Sequence, residues 1–170
     1  MTSLSKTLQL ALLTSLLMLS GCVKYSFRGA LPSSIKTSAI PFFEDKARVK
    51  WVGLQEKLSE QVATAFLEDN TLQVITDEES SDLLLSGTIV DVRTQAVSIS
   101  QDEDVEQEQI VVVVKIECMN QALGKPLWNG QLRDFAEVDG DAGTDEIEAA
   151  IDIAIEKLVS EIVDRTIAAW

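Results

Sequence analysis

Histidine is absent from this chain of 170 residues, which also contains only two cysteines, three prolines and one tyrosine. The absence of histidine removes the commonest general base and the commonest metal ligand at neutral pH. The sequence also lacks a glycine-rich phosphate loop, a nucleophile elbow and the ligand spacing of a zinc site. We therefore expect no catalytic residues, no metal ion and no cofactor, and an enzyme is the class that the sequence favours least.

Basic residues are scarce, because 14 lysines and arginines stand against 28 aspartates and glutamates, a net charge of −14. A protein this acidic is repelled by the phosphates of nucleic acids and by anionic lipid surfaces. We therefore expect no nucleic-acid partner. If the protein is held at a membrane, we expect a lipid anchor to hold it there rather than its net charge.

The longest apolar run lies at the N-terminus, where Lys6 precedes the leucine-rich residues 8–19. This run is shorter than the ~20 apolar residues of a spanning helix, and it has the layout of a cleaved secretion signal. It ends in Leu19-Ser20-Gly21-Cys22, which fits the lipobox of bacterial lipoproteins. Cys22 would then be the lipidated first residue of the mature protein, held by two or more acyl chains. The alternative is an ordinary secretion signal followed by a chance cysteine.

The sequence divides into a signal, a short tether and one domain. Residues 1–21 are the predicted signal, residues 22–32 the lipidated tether, and residues 33–170 a domain large enough for a single core. Because Cys22 carries the lipid, Cys118 has no partner for an intramolecular disulfide. We expect Cys118 to be a small buried hydrophobic residue rather than a reactive thiol.

Hydrophobic periodicity predicts two helices among several strands. Apolar residues at helical spacing from Leu54 to Phe66 predict an amphipathic helix that ends near Asp69-Asn70. Thr144 is expected to cap a second helix reaching Trp170. The core-facing stripe of this helix comprises Ile147, Ile151, Ile155, Leu158 and Ile162. Strands are predicted at residues 35–43, with Pro41 at an edge or a strand end, and at 72–76, 83–100, 109–120 and 127–138, the last three joined by hairpins at 101–108 and 121–126.

This order of elements predicts an α+β fold, a two-layer sandwich with two helices packed on one face of a mostly antiparallel four-stranded sheet. Two helices can cover only one face of such a sheet. The other face is expected to stay open, and we expect the function to lie there.

Alternation along the long strands predicts which side chains the open face displays. We expect Val90, Val92, Val114, Ile116, Trp128 and Leu132 to face the helices. The outward set is then Arg93, Gln95, Val97, Ile99, Val111, Val113, Lys115, Gln131, Arg133 and Phe135. It combines three cations with apolar side chains, which makes this face a candidate surface for a partner or an anionic ligand. Alternatively, Arg93, Lys115 and Arg133 are only ordinary partners of Asp91, Glu117 and Glu137.

Several short motifs together resemble one family of lipoproteins. They are Gly21-Cys22-Val-Lys-Tyr25-Ser26-Phe27-Arg-Gly29, Leu31-Pro32, Ile35-Lys36-Thr37, Ile40-Pro41-Phe42-Phe43, Leu85-Ser-Gly87-Thr-Ile89-Val-Asp91 and the terminal Ala168-Ala169-Trp170. Their order and spacing are similar to those of the LptE lipoproteins, in the form found in Bacteroidota and relatives. The resemblance covers nearly the whole mature chain.

The resemblance implies a lipoprotein anchored on the periplasmic side of the outer membrane. Such a protein plugs the LptD barrel, helps to assemble it and aids the delivery of lipopolysaccharide to the outer leaflet. The implied partners are an LptD-like barrel and lipopolysaccharide. Because the chain is strongly acidic, we expect the plug role more than direct binding of anionic lipopolysaccharide.

A second class of lipoprotein has a similar small sandwich. The segments Ile40-Pro41-Phe42 and Leu85-Ser86-Gly87 also resemble lipoproteins that activate peptidoglycan synthases or build secretion pores. The partner distinguishes the two classes. A barrel would enclose the open sheet face, whereas a synthase activator would stay reachable in the periplasm.

Overall fold

The computed structural model describes residues 31–32, 34–99 and 105–168. The predicted signal, Cys22 and most of the predicted tether lie outside the described residues. Within the described part, two helices and a six-stranded mixed sheet are formed. The strands are β1 (Thr37–Ala39), β2 (Glu44–Asp45), β3 (Gln73–Ile75), β4 (Leu83–Ile99), β5 (Val105–Asn120) and β6 (Lys125–Asp139), and the helices are α1 (Leu54–Asp69) and α2 (Thr144–Ile167).

The sheet has the strand order β3-β1-β4-β5-β6, and β2 pairs with β4 beyond the end of β1. The long strands β4, β5 and β6 form an antiparallel meander, as the sequence predicted. The expectation of a mostly antiparallel sheet of four strands is wrong for the first part of the chain. There β1 runs parallel to β3 and β4, and β2 runs parallel to β4.

The parallel pairs follow from the connections between these strands. Helix α1 carries the chain from β2 back across the sheet before β3 begins, and a crossover of this kind lets neighbouring strands run in the same direction. The predicted strand over residues 35–43 is also split into β1 and β2. Pro41 lies in the gap, where it has no amide to give to a strand ladder.

Both helices begin and end close to their predicted bounds. Helix α1 ends at Asp69 and is followed by Asn70 in the left-handed conformation, a common helix stop. Helix α2 begins one residue differently from the prediction, because Gly143 rather than Thr144 is its N-cap. The Glu146 carboxylate accepts the Gly143 amide at 2.8 Å, which satisfies a backbone donor that the helix leaves unpaired.

The core lies between the two helices and one face of the sheet. A single cluster of buried side chains joins α1 to the inward residues of the long strands and to the predicted stripe of α2. The stripe residues Ile151, Ile155, Leu158 and Ile162 are buried, and Ile147 packs against the cluster. Within the described residues, no helix is long and apolar enough to cross a membrane.

A β-bulge in β4 changes the side on which its residues point. Ile89 pairs with Val114 and Asp91 with Val113, so Val90 is an extra residue without a cross-strand partner. The prediction that Val90 faces the helices is therefore wrong, and its side chain is 39% exposed. Just beyond the bulge, Val92 is buried in the core, on the side that the sequence predicted.

Candidate functional site: the outer sheet face

The outer sheet face is the side of β4, β5 and β6 that points away from both helices. The core cluster takes Ile110, Val112, Val114 and Ile116 from β5, so the alternate residues of this strand lie on the other side. The cross-strand register puts Arg93 and Gln95 of β4 on that side as well, together with Gln131, Arg133 and Phe135 of β6. Val97 has no cross-strand partner, because the register shifts between Ala96 and Ser98.

Three rows of side chains cross the outer sheet face. The register places Arg93, Val111 and Phe135 in the first row and Asp91, Val113 and Arg133 in the second. The third row contains Thr88, Lys115 and Gln131. From the ordinary spacing of strands and residues, the Cα atoms of the three cations lie roughly 8 to 14 Å apart. The flexible side chains of Arg93, Lys115 and Arg133 are all exposed, so they span a surface the size of a lipid headgroup or a peptide segment.

The three cations differ in their pairing. Arg93 donates to the Asp91 carboxylate at 2.5 Å, as the ordinary-partner interpretation predicted for it. Lys115 and Arg133 form no ion pair with any residue that the structure describes. The alternative pairs with Glu117 and Glu137 are therefore not formed. Two of the three cations on this face therefore have no ion-pair partner among the described residues.

Val111 and Val113 are on the outer sheet face but are not bare. Val111 is completely buried and Val113 is 4% exposed, although neither belongs to the core cluster. Both are short side chains on the central strand, and the register sets each between longer neighbours on β4 and β6. The expectation that these two side chains are exposed is therefore wrong. The exposed valines of β4 are Val90, at 39%, and Val97, at 51%, and both lie at register shifts.

Phe135 is held at the rim of the outer sheet face by a residue that the sequence analysis missed. The Lys157 ammonium, from α2, donates to the Phe135 carbonyl at 2.7 Å and lies 5.3 Å from the centre of its ring. It is also 3.6 Å from the Asp134 carboxylate. A lysine on the polar side of a helix is ordinarily solvated, so no sequence pattern indicates that this one reaches the edge of the sheet.

A family model described as lipopolysaccharide-assembly, LptE, matches residues 35–166. The chain belongs to the LptE family. The matched segment contains all the strands of the outer sheet face and nearly all of α2, whereas Cys22 precedes it.

Solved structures with the same fold come from several bacteria. A hypothetical protein of Chlamydia trachomatis is 13% identical with a TM-score of 0.61, covering 78% of this chain and 95% of its own. A minor lipoprotein of Acinetobacter baumannii is 14% identical with a TM-score of 0.54, covering 79% and 94%. An uncharacterized lipoprotein B of Nitrosomonas europaea is 15% identical with a TM-score of 0.52, covering 78% and 87%. A comparison with curated protein sequences gives no significant match.

Cys118 of this LptE protein is separate from the outer sheet face. It is completely buried in the core between β4 and β6, as the sequence predicted. Burial removes water from the thiol and raises its pKa to about 12. The thiolate is therefore scarce at neutral pH, and Cys118 serves as a small apolar side chain.

The hairpin of β4 and β5 extends beyond the helical layer. At the usual rise per residue, the 17 residues of β4 span about 56 Å, whereas the 24 residues of α2 span about 36 Å. The residues of β4 from Thr94 to Val97 are exposed on both faces. Part of the acidic run predicted to be a turn, residues 105–108, is instead paired as strand, and residues 101–104 lie outside the described residues.

Proposed function

We propose that this protein is an outer-membrane lipoprotein of the lipopolysaccharide-assembly machinery, which plugs an LptD-like barrel and helps to assemble it. On this proposal it also aids lipopolysaccharide delivery to the outer leaflet without catalysing a reaction. The observation that carries the proposal is the outer sheet face of a member of the LptE family, with helices on one side of the sheet only.

The chemistry of the outer sheet face supports contact with a partner. Lys115 and Arg133 carry charges that no described carboxylate neutralises, in a protein with a net charge of −14. Val97 adds an exposed apolar contact on the protruding part of β4. A surface with apolar residues and unpaired cations suits a polar, partly acidic partner wall or the phosphate groups of a lipid.

The proposal assigns the lipid anchor to Cys22. Residues 1–21 are then removed as a signal, residues 22–32 link the lipid to the fold, and residues 33–170 form the working domain. The periplasmic side of the outer membrane is the proposed location. At least two acyl chains would make this attachment stable, where a single chain gives only reversible binding.

Site-specific crosslinking in living cells tests the barrel partner. A photoreactive residue at Gln131, which is exposed on the outer sheet face, should crosslink to an outer-membrane barrel protein. The same residue at Thr64, exposed on α1, is the matched control and should give little of this product. Equal crosslinking from both faces contradicts the proposed orientation, and capture of a peptidoglycan synthase favours the activator class instead.

Charge reversal tests the role of the cations separately. Replacing Arg93, Lys115 and Arg133 together by Glu should make cells more sensitive to large antibiotics while the barrel still co-purifies. The control replaces Lys36, Lys125 and Arg165, which are also exposed, and changes the net charge equally. If both triple variants keep the permeability barrier intact, the three cations have no part in lipopolysaccharide delivery.

A further inference from the structure

The basic loop, residues 46–53, connects β2 to α1 and has a composition unlike the rest of the chain. It reads Lys-Ala-Arg-Val-Lys-Trp-Val-Gly and contains three cations and no acidic residue. Acidic residues outnumber basic ones two to one in the whole chain. The loop is therefore a local positive segment on a strongly negative protein.

Two side chains fix the basic loop to the body of the protein. Ala47 is buried in the core cluster, and Trp51 is partly buried and packs against it. The Lys50 ammonium also donates to the Asp45 carbonyl at 2.6 Å. With these contacts in place, the loop presents its remaining residues in a defined arrangement.

The remaining apolar side chains of the basic loop point into solvent. Val49 is 56% exposed and Val52 is fully exposed, on either side of Trp51. Behind them lies a cavity of about 430 Å³, lined by Trp51, Val52, Lys50 and Lys57 and, on α2, by Ile151, Glu148 and Asp152. Asp152 pairs with Lys57, so the positive charge of this surface comes from the loop itself. Exposed valines next to an indole and several cations form an amphipathic surface rather than an ordinary solvated turn.

The three cations of the basic loop differ in how firmly they are paired. Lys46 pairs with Glu44 at 2.5 Å with both side chains more than half exposed, a kind of pair that contributes little free energy and that an anionic surface can replace. Lys50 pairs at 2.9 Å with Asp45, whose side chain is only 14% exposed, and stays part of the loop's attachment. Arg48 is exposed and has no ion-pair partner within the part of the chain that the structure describes.

We propose that the basic loop is a membrane-contact element that binds an anionic phospholipid bilayer surface. Cations next to an anionic leaflet each raise membrane affinity about fivefold, and tryptophan prefers the depth of the headgroups. The exposed valines favour a lipid surface over an acidic protein, because their burial among acyl chains gains affinity that an acidic peptide does not offer.

The net charge of the whole protein does not prevent this contact. At physiological ionic strength, charges farther than about 8 Å from the lipid are largely screened, so the loop responds to its own charges and to the carboxylates next to it. Of its cations, Arg48 pairs with none of those that the structure describes. The anchor proposed at Cys22 keeps the protein beside the bilayer, and the inference depends on the proposed function only for this. The loop then sets how the anchored domain is oriented.

Tryptophan quenching in vesicles tests the inference. The mature lipoprotein with Trp128→Phe and Trp170→Phe retains Trp51 as its single indole and is reconstituted in brominated phosphatidylglycerol vesicles. Trp51 emission should fall by half or more, and much less in vesicles of brominated phosphatidylcholine. Adding Arg48→Glu and Lys50→Glu should abolish the difference, whereas Lys36→Glu with Arg165→Glu, the matched control, should preserve it.

The anchor and the loop are distinguished by a second form of the protein. The chain has no histidine, so a hexahistidine tag in place of Cys22 can attach it to nickel-chelating lipid without any acyl chain. Co-flotation of the untagged lipoprotein reports the anchor, and Trp51 quenching in the tagged form reports the loop. Unquenched Trp51 emission in protein that floats with anionic vesicles overturns the inference and leaves the proposed anchor intact.

The exposed valines provide an independent measurement. Val52→Asp should reduce the quenching of Trp51, whereas Leu123→Asp, at another exposed apolar residue in the turn between β5 and β6, should not. Equal effects of the two changes also contradict a specific contact by the basic loop.

Discussion

Asp82 is the residue in the described structure whose charge is most directly built into the fold. Its carboxylate accepts three hydrogen bonds, from the backbone amides of Lys36 and Thr37 at 2.8 and 2.9 Å and from the Thr37 hydroxyl at 3.0 Å. The Thr37 hydroxyl in turn accepts the Asp82 amide at 2.9 Å. These bonds join the start of β1 to the start of β4.

The amides of Lys36 and Thr37 hold the pKa of Asp82 below its ordinary value of 3.8, because they favour the ionised form. A carboxyl whose pKa is lower in the folded state adds stability that is present above about pH 4 and is lost as the pH falls through the folded value. We expect Asp82→Asn to lower the free energy of unfolding by about 1–3 kcal/mol at pH 7. Urea denaturation at pH 7 and near pH 2.5 should show this difference shrinking at the lower pH. A loss that is the same at both pH values contradicts the role of the charge.

The Cys118 thiol should be inert in the folded protein. Because burial raises its pKa to about 12, iodoacetamide at pH 8 should leave it unmodified for hours, yet modify it fully in denaturant. Mass spectrometry of the Cys118 peptide gives the measurement. Cys118→Ala should cost about 1–2 kcal/mol of stability without affecting partner binding, and fast native labelling contradicts its place in the core.

Residue-level prediction succeeded where alternation was regular and failed where local geometry intervened. The alternation placed Arg93, Lys115 and Arg133 on one face because no register shift lies between Asp91 and Ala96 of β4 or along the facing parts of β5 and β6. It misplaced Val90 because a bulge leaves no clear mark in the sequence. It also gave the correct side for Val111 but not its exposure, which depends on the neighbouring strands.

At the scale of secondary-structure elements, Gly87 of β4 makes room for the ring of Phe43, just before β2. A Cβ atom on Gly87 would lie 2.3–2.6 Å from the ring of Phe43, which is completely buried. The absent side chain therefore makes the space into which the ring packs. This contact joins the segment preceding β2 to the middle of the sheet.

We expect Gly87→Ala to destabilise the fold by about 1–3 kcal/mol, because the ring must move out of a packed core. Thermal or urea unfolding measures the change. Gly130→Ala is the matched control, because Gly130 is also in a long strand and its added Cβ would meet nothing closer than 3.9 Å. Similar losses in both variants would mean that strand propensity, rather than the Phe43 ring, explains the effect.

The long elements were predictable from sequence, as was the short strand β3 within the predicted residues 72–76. The division of residues 35–43 into β1 and β2 and the parallel pairing of the short strands were not predictable. Helices α1 and α2 and strands β4, β5 and β6 carry enough periodic residues to fix their type and approximate bounds. Strands β1, β2 and β3 have two or three residues each, and their parallel pairing is decided by the path of the chain through α1. Such pairing between distant segments leaves no local pattern.

At the scale of the whole molecule, the proposed function leaves attachment to the membrane mainly to the lipid at Cys22, because the composition is acidic. We expect Cys22→Ser to abolish labelling with radioactive palmitate and to leave the precursor uncleaved, because acylation requires the thiol. Gel mobility and detergent phase partitioning measure the two effects. Cys118→Ala is the matched control and should label normally, whereas fatty-acid labelling of Cys22→Ser would contradict the lipobox.

The candidate site was predictable in its location more than in its chemistry. The order of helices and strands was enough to predict that one sheet face is open and that three cations lie on it. The pairing of Arg93 with Asp91, and the absence of such pairing for Lys115 and Arg133, depend on side-chain geometry. The net charge of the whole chain does not reveal the basic loop, because acidic residues elsewhere outnumber its three cations.

The contact between Lys157 and Phe135 also affects the edge of the sheet. Strand β6 is the long edge of the sheet, and an open edge can add a strand from another chain and start aggregation. The Lys157 ammonium occupies the Phe135 carbonyl on this strand, and Pro126 near its start has no amide to offer. Lys157 thus occupies one backbone acceptor of β6 and hinders strand addition at that point, while the outer sheet face stays uncovered.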